Sequence, residues 1–149
     1  MSRVVDTTSR RKGFPAPSTK VVRVITALDR QRWVRCPKGL LSVVFVGDKE
    51  ISKIHKTFMD DASVTDVITF IGEPHPAEPF AGEIVINVDQ ARRAGPEHGQ
   101  TANDELLLYL VHGWLHLAGY RDKKPSDAKA MRAAEAKCLH YLHERRIAL

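Results

Sequence analysis

The stretch LLLYLVHGWLHL, residues 106–117, holds no charged side chain, and two histidines interrupt its apolar run. A helix that is apolar nearly all round belongs in the interior, so the chain must fold around this segment. Two imidazoles on such a helix would be costly to bury without partners. The 149 residues fit one domain and suffice for a core without disulfide staples.

Around that helix the pattern interleaves strands and helices. SVVFV (42–46) is a β-branched and aromatic run expected to form a buried strand. Gly47-Asp48 makes a turn, with Asp48 placed to cap a helix carrying Ile51, Ile54, His55 and Phe58 on one face. DVITF (66–70) and GEIVINV (82–88) read as two more strands, separated by a loop with three prolines that no sheet interior accepts. A helix from Asp89 to about Ala94 is expected to end at Gly95-Pro96. The long helix starts near Thr101 or Asn103, has Asp104 and Glu105 in its first turn, and stops at Gly119. After Pro125, Ser126 is placed to cap a last helix carrying Met131, Ala134, Cys138 and Leu142. Upstream, residues 21–35 read weakly as a helix, and residues 1–20, polar and basic with Pro15 and Pro17, as a flexible arm before a single domain at 21–149.

Charge is uneven. Residues 1–38 hold ten Lys/Arg against Asp6 and Asp29, whereas residues 39–149 hold thirteen against sixteen acids. Such a basic end suits a polyanionic partner, nucleic acid being the usual one, or a solvated tail. No apolar run approaches the roughly 20 residues of a membrane helix, and the N-terminus lacks the apolar core of a secretory signal. Cys36 and Cys138 fit no metal or redox spacing, so reduced thiols are expected.

His112 and His116, four residues apart, can aim both rings at one point from a helix. Gly119 then lets the chain turn back, which brings Asp122 within reach as a third, anionic ligand; it also suits an ordinary surface turn. Two imidazoles and a carboxylate suit zinc and leave a fourth position open. The residue after His112 is Gly113, where a zinc protease of the HExxH kind needs a glutamate as general base. Peptide hydrolysis of that kind is therefore disfavoured. A metal ion can still activate water against a phosphodiester where cations stabilise the developing charge. Gly113 is expected to leave space near that water.

HGWLHLAGYRD resembles the HGxLHLxGYDH signature of the YbeY family, bacterial metal-dependent endoribonucleases of ribosomal RNA maturation. SVTDVITF (63–70) is similar to that family's P-T-D-V-L-S-F segment, AGEIVINVDQAR (81–92) to its G-D-I-V-I strand and following helix, and MRAAEAKCL (131–139) to its M-x-x-x-E-x-x-x-L helix. The resemblance implies an α+β domain with a small mixed sheet of about four strands flanked by helices, the zinc helix packed on it. It implies one zinc per chain on His112, His116 and Asp122, with Asp122 standing where the family has its third histidine. Arg121 stands at the signature's aspartate position, so acid and histidine are exchanged for base and acid. His55, Asp66 and Arg121 are the candidate catalytic residues. The family's usual arginine falls on Met59, which cannot stabilise negative charge, leaving Lys53, Lys56, Arg121 and Lys123 as nearby cations. His140 and His143 read as a helix face, and His75 and His98 as loop histidines. The function implied is a zinc-dependent single-strand endoribonuclease, cytoplasmic, acting on ribosomal RNA with the small ribosomal subunit. The alternatives are a non-catalytic assembly or RNA-binding factor that keeps a structural metal, and a general metallohydrolase.

Overall fold

The computed structural model describes residues 2–73, 77 and 79–149; His75 lies outside them. The elements run β1 (Val4–Ser9), α1 (Ser18–Arg30), β2 (Leu40–Val46), α2 (Asp48–Met59), β3 (Val67–Ile71), β4 (Phe80–Asn87), α3 (Val88–Glu97), α4 (Ala102–Leu117) and α5 (Pro125–Glu144). The four strands form one mixed sheet in the order β1-β2-β4-β3. β1, β2 and β4 are parallel, and β3 runs antiparallel beside β4. This is the small α+β domain that the sequence led us to expect.

Alternation along the strands sorts side chains to two faces. Leu41, Val43 and Phe45 of β2 and Ile84 and Ile86 of β4 join α1, α4 and α5 in the main core. Val44, Val46, Val85 and Ile68 point the other way, against Ile51 of α2. Trp114 of α4 is fully buried in the main core, and its indole N–H donates to Asp29 Oδ1 at 3.1 Å, so its one polar atom is satisfied.

Gly113 is explained by this packing. A Cβ at Gly113 would lie 2.5 Å from Ile84 Cγ2, so the helix approaches β4 more closely than any side chain there permits. One turn on, Leu117 packs over Gly82 of the same strand. Gly113 thus faces the sheet, and the space it leaves is filled by Ile84. The expectation that it opens room beside a water molecule is corrected: the space beside its Cα is occupied by the Ile84 side chain.

The first twenty residues are not a free arm. Val4–Ser9 pair in register with Leu40–Phe45, and this is the fourth strand. Four of its six residues are β-branched, a preference that the flanking basic residues obscure. Those basic residues fasten the strand: Arg3 pairs with Asp29 and Arg11 with Asp89, both at 2.9 Å.

Some boundaries also differ. α1 starts at Ser18 and stops at Arg30, because the amide of Gln31 folds onto the backbone of Trp33 and Val34. α3 continues through Gly95-Pro96, since a proline near a helix end removes only one intrahelical bond and the His98 amide closes the turn on Ala94 and Gly95. Gly47, not Asp48, is the cap of α2. Pro125 is the first residue of α5, where its fixed φ suits a helix start, so Ser126 lies inside. Thr101 caps α4 with a reciprocal pair of bonds to Asp104. Among the described residues, no helix is long and apolar enough to cross a membrane.

Candidate metal centre

α4 delivers the two histidines and its end delivers the acid. After Leu117 the chain passes through Ala118 to Gly119 at φ +108°, and the amides of Gly119 and Tyr120 bond back to the carbonyls of His116 and Leu115. That pair of bonds is a Schellman closure, which a residue with a side chain at Gly119 would strain. The chain reverses there, and Asp122 returns to the flank of the helix that bears His112 and His116.

Asp122 Oδ2 lies 3.2 Å from His112 Nε2 and 3.3 Å from His116 Nε2. The rings meet edge to face with centroids 4.6 Å apart. One donor atom from each of the three residues falls within 4.8 Å of the others, a group that could hold a metal ion. Ligand atoms bound tetrahedrally at about 2.0–2.2 Å stand roughly 3.3–3.6 Å apart, so the two His–Asp separations already match a zinc-sized site. The donor set fits as well, being two imidazoles and one carboxylate.

Behind His112 stands Glu135 of α5, whose Oε2 is 3.3 Å from His112 Nδ1. A carboxylate there accepts the Nδ1–H, fixes the ring, and leaves Nε2 to face Asp122. Burial lowers the His112 pKa, but the Glu135 hydrogen bond together with the charges of Glu135, Asp122 and Asp66 outweighs it and holds the ring above its ordinary value. Three carboxylates around one imidazole make a site short of positive charge. Glu135 carried no role in the sequence pattern; its signal was its fixed place in the last helix, four residues after Met131.

The other candidates are dispersed. Asp66, just before β3, is near enough to act electrostatically on His112, and its Oδ1 accepts the Val67 amide at 2.8 Å. His55 sits at the far end of α2 with Nδ1 at 3.1 Å from the Ser63 carbonyl and Nε2 at 3.9 Å from Asp61. Arg121 makes no ion pair among the described residues and lines a shallow depression with Asp127 and Ala130. Met59 is half exposed at the end of α2, and Lys56 is paired with Asp60. His98, read as a featureless loop histidine, instead bonds through Nδ1 to Glu105 at 2.8 Å. His140 pairs with Glu144 one turn on, as a helix-face residue would. Cys36 and Cys138 are free thiols.

The fold and the site together define a small α+β domain that carries a His-His-Asp cluster on a buried helix. A family model described as Endoribonuclease YbeY matches residues 11–143, and the chain belongs to the YbeY family. It is 36% identical over 97 residues to an Endoribonuclease YbeY from Anaeromyxobacter sp. (strain Fw109-5), covering 64% of this chain and 50% of that one. It is 37% identical over 106 residues to the Endoribonuclease YbeY of Porphyromonas gingivalis (strain ATCC BAA-308 / W83), covering 71% and 69%. The chain thus spans about half the length of the Anaeromyxobacter relative. The solution structure of TM1509 from Thermotoga maritima superposes with a TM-score of 0.61 at 24% identity, over 96% of this chain and 92% of that one, which is a likeness of fold.

Proposed function

We propose that this domain is a metal-dependent endoribonuclease that cuts single-stranded RNA in ribosomal RNA maturation, in the cytoplasm and in association with the small ribosomal subunit. The convergence of His112 Nε2 and His116 Nε2 on Asp122 Oδ2 carries this reading. Family membership and the basic excess of residues 1–38 support RNA as the substrate. His112, His116 and Asp122 would hold a zinc ion, which would supply Lewis acidity for attack on a phosphodiester. Glu135 keeps the Nδ1 proton of His112 and so presents Nε2 as a donor. Asp66 adds negative charge beside His112, which favours a bound cation. Arg121, with no carboxylate partner among the described residues, is free to meet a phosphate oxygen. His55 bonds the Ser63 carbonyl, three residues before Asp66.

The second reading, a non-catalytic assembly factor with a structural metal, is favoured by Met59 at the family's arginine position. A peptidase is disfavoured, because a glutamate in place of Gly113 would point into Ile84. Elemental analysis and RNA cleavage by wild type and Asp122→Ala decide among these. About one zinc per wild-type chain, lost in the variant together with cleavage, is the expected result. Protein that holds zinc but leaves RNA intact belongs to the second reading, and protein that refuses zinc defeats both.

A further inference from the structure

The basic excess of residues 1–38 is not spread evenly over the surface. Arg3, Arg10 and Arg11 are each matched by an acid. Of the remaining cations, Arg30, Arg32, Arg35 and Lys38 line one open cleft of about 680 Å³ between β1, α1 and the loop joining α1 to β2. All four are exposed, and none makes an ion pair among the described residues. The acid in the cleft, Asp29, already accepts from Arg3 and from Trp114. The cleft therefore presents four uncompensated positive charges.

The loop that carries them is a built feature. The Gln31 side chain is buried and accepts the amides of Trp33 and Val34 at 2.9 and 3.1 Å. The Trp33 ring lies 4.6 Å beneath the ammonium of Lys137 on α5. Held at both points, the loop turns Arg32 and Arg35 outward. Burial pushes the Cys36 thiol in the same cleft up to about 11, so it offers no nucleophile at neutral pH.

We propose that this cleft is a docking groove for the phosphate backbone of a single RNA strand, separate from the metal centre. Trp114 and His112 are two residues apart on α4 and so emerge on opposite flanks of a helix about 10 Å across. An RNA held at both places runs over the surface of the domain between them, and the groove contributes affinity without touching the reacting bond. The volume lies within the roughly 300–1,000 Å³ of ligand sites, but those are mostly apolar and enclosing. An open rim of guanidinium and ammonium groups suits a strand whose phosphates stay partly hydrated, with Arg the better matched to phosphate geometry. The choice of RNA rests on the function proposed above; the groove itself does not depend on cleavage.

The test measures binding of a short single-stranded RNA by fluorescence anisotropy over a salt series, in an Asp122→Ala background that does not cut. Combining Arg32→Ala, Arg35→Ala and Lys38→Ala should weaken binding about tenfold or more and reduce the log–log salt slope by about two, since each phosphate contact on a single strand contributes about 0.7. The same charge removed through Lys12→Ala, Lys20→Ala and Arg23→Ala should change it far less. Circular dichroism confirms that the exposed substitutions leave the fold intact. Equal losses in the two triple variants, or no loss in the first, overturn the groove. Displacement of the RNA by a mononucleotide at a similar concentration of phosphate also overturns it, in favour of a small-anion pocket. If wild type proves unable to cut RNA while the groove variant still loses binding, the function falls and the groove stands.

Discussion

Two polar clusters lie in this domain, and their charge balance separates them. At the end of β4, Asp48 and Asp89 meet Arg93 and Arg11. Arg93 grips Asp48 with two bonds of 2.7 Å, Arg11 reaches Asp89 at 2.9 Å, and buried Asn87 bonds Asp48 at 2.8 Å. The Arg93 hydrogen bonds hold the Asp48 carboxyl below its usual range. Each acid has its guanidinium, and the cluster clasps α2, α3 and the end of β1 to the sheet. On α4 the balance is reversed: Asp122 and Glu135 lie against His112 and the charge of Asp66 acts on it as well, with no Lys or Arg bonded to Asp122 or Glu135 among the described residues. The difference teaches that a closed cluster is a structural clasp, whereas one with surplus carboxylate calls for a cation from outside.

The largest effect that can break this contrast is the response to zinc. Zinc at about a thousand times its dissociation constant should stabilise the fold by about 4 kcal/mol, read as a rise in Tm that a chelator reverses. Asp122→Ala should lose most of that rise. Arg93→Ala should cost only about 0.5–1 kcal/mol, because its bridge is partly solvated, and should keep the zinc response. Loss of the response in Arg93→Ala would mean that the two clusters act as one.

Much of the open cluster was legible because its ligands lie within eleven residues of one helix and its end. Periodicity brings His112 and His116 together, and Gly119 announces the reversal that returns Asp122. Glu135 was marked by the M-x-x-x-E-x-x-x-L resemblance but not legible in its role, because it acts across two helices on His112. The closed cluster was missed for the same reason, since Asp48 and Arg93 are 45 residues apart and Asp48 looked like a cap. β1 was hidden for a different one. Its strand propensity is local, but its place depends on pairing with Leu40–Phe45, which no local pattern records.

A smaller effect sharpens the view of how the open cluster is held. Gly113→Ala brings a methyl group within 2.5 Å of Ile84 Cγ2, on a β-branched side chain that has few ways to yield. We expect a loss of about 1–3 kcal/mol in chemical denaturation. Because the lifted helix also carries His112 and His116, zinc affinity should fall with stability. A variant that loses stability while binding zinc unchanged would show that the ligands keep their geometry without the close approach to β4.

The smallest effect comes from a closed pair that pH can open. Glu105 is buried to 1% exposure on α4, and His98 at the end of α3 meets it through Nδ1 at 2.8 Å. The hydrogen bond to Glu105, reinforced by its charge, raises the His98 pKa above 6.5. A raised folded-state value means that the pair's stabilisation is fully present below the unfolded value of about 6.5 and is lost as pH rises through the folded one. Wild type should therefore melt higher than His98→Gln in mildly acidic buffer, and the two should converge above the raised pKa. Because His98 is itself open to solvent, the gap should be small. A gap that widened with rising pH would reverse the sign. It would mean that the folded state holds fewer protons than the unfolded one, so that His98 does not balance the charge of Glu105, and the contrast between closed and open clusters would then rest on Asp48 and Asp89 alone.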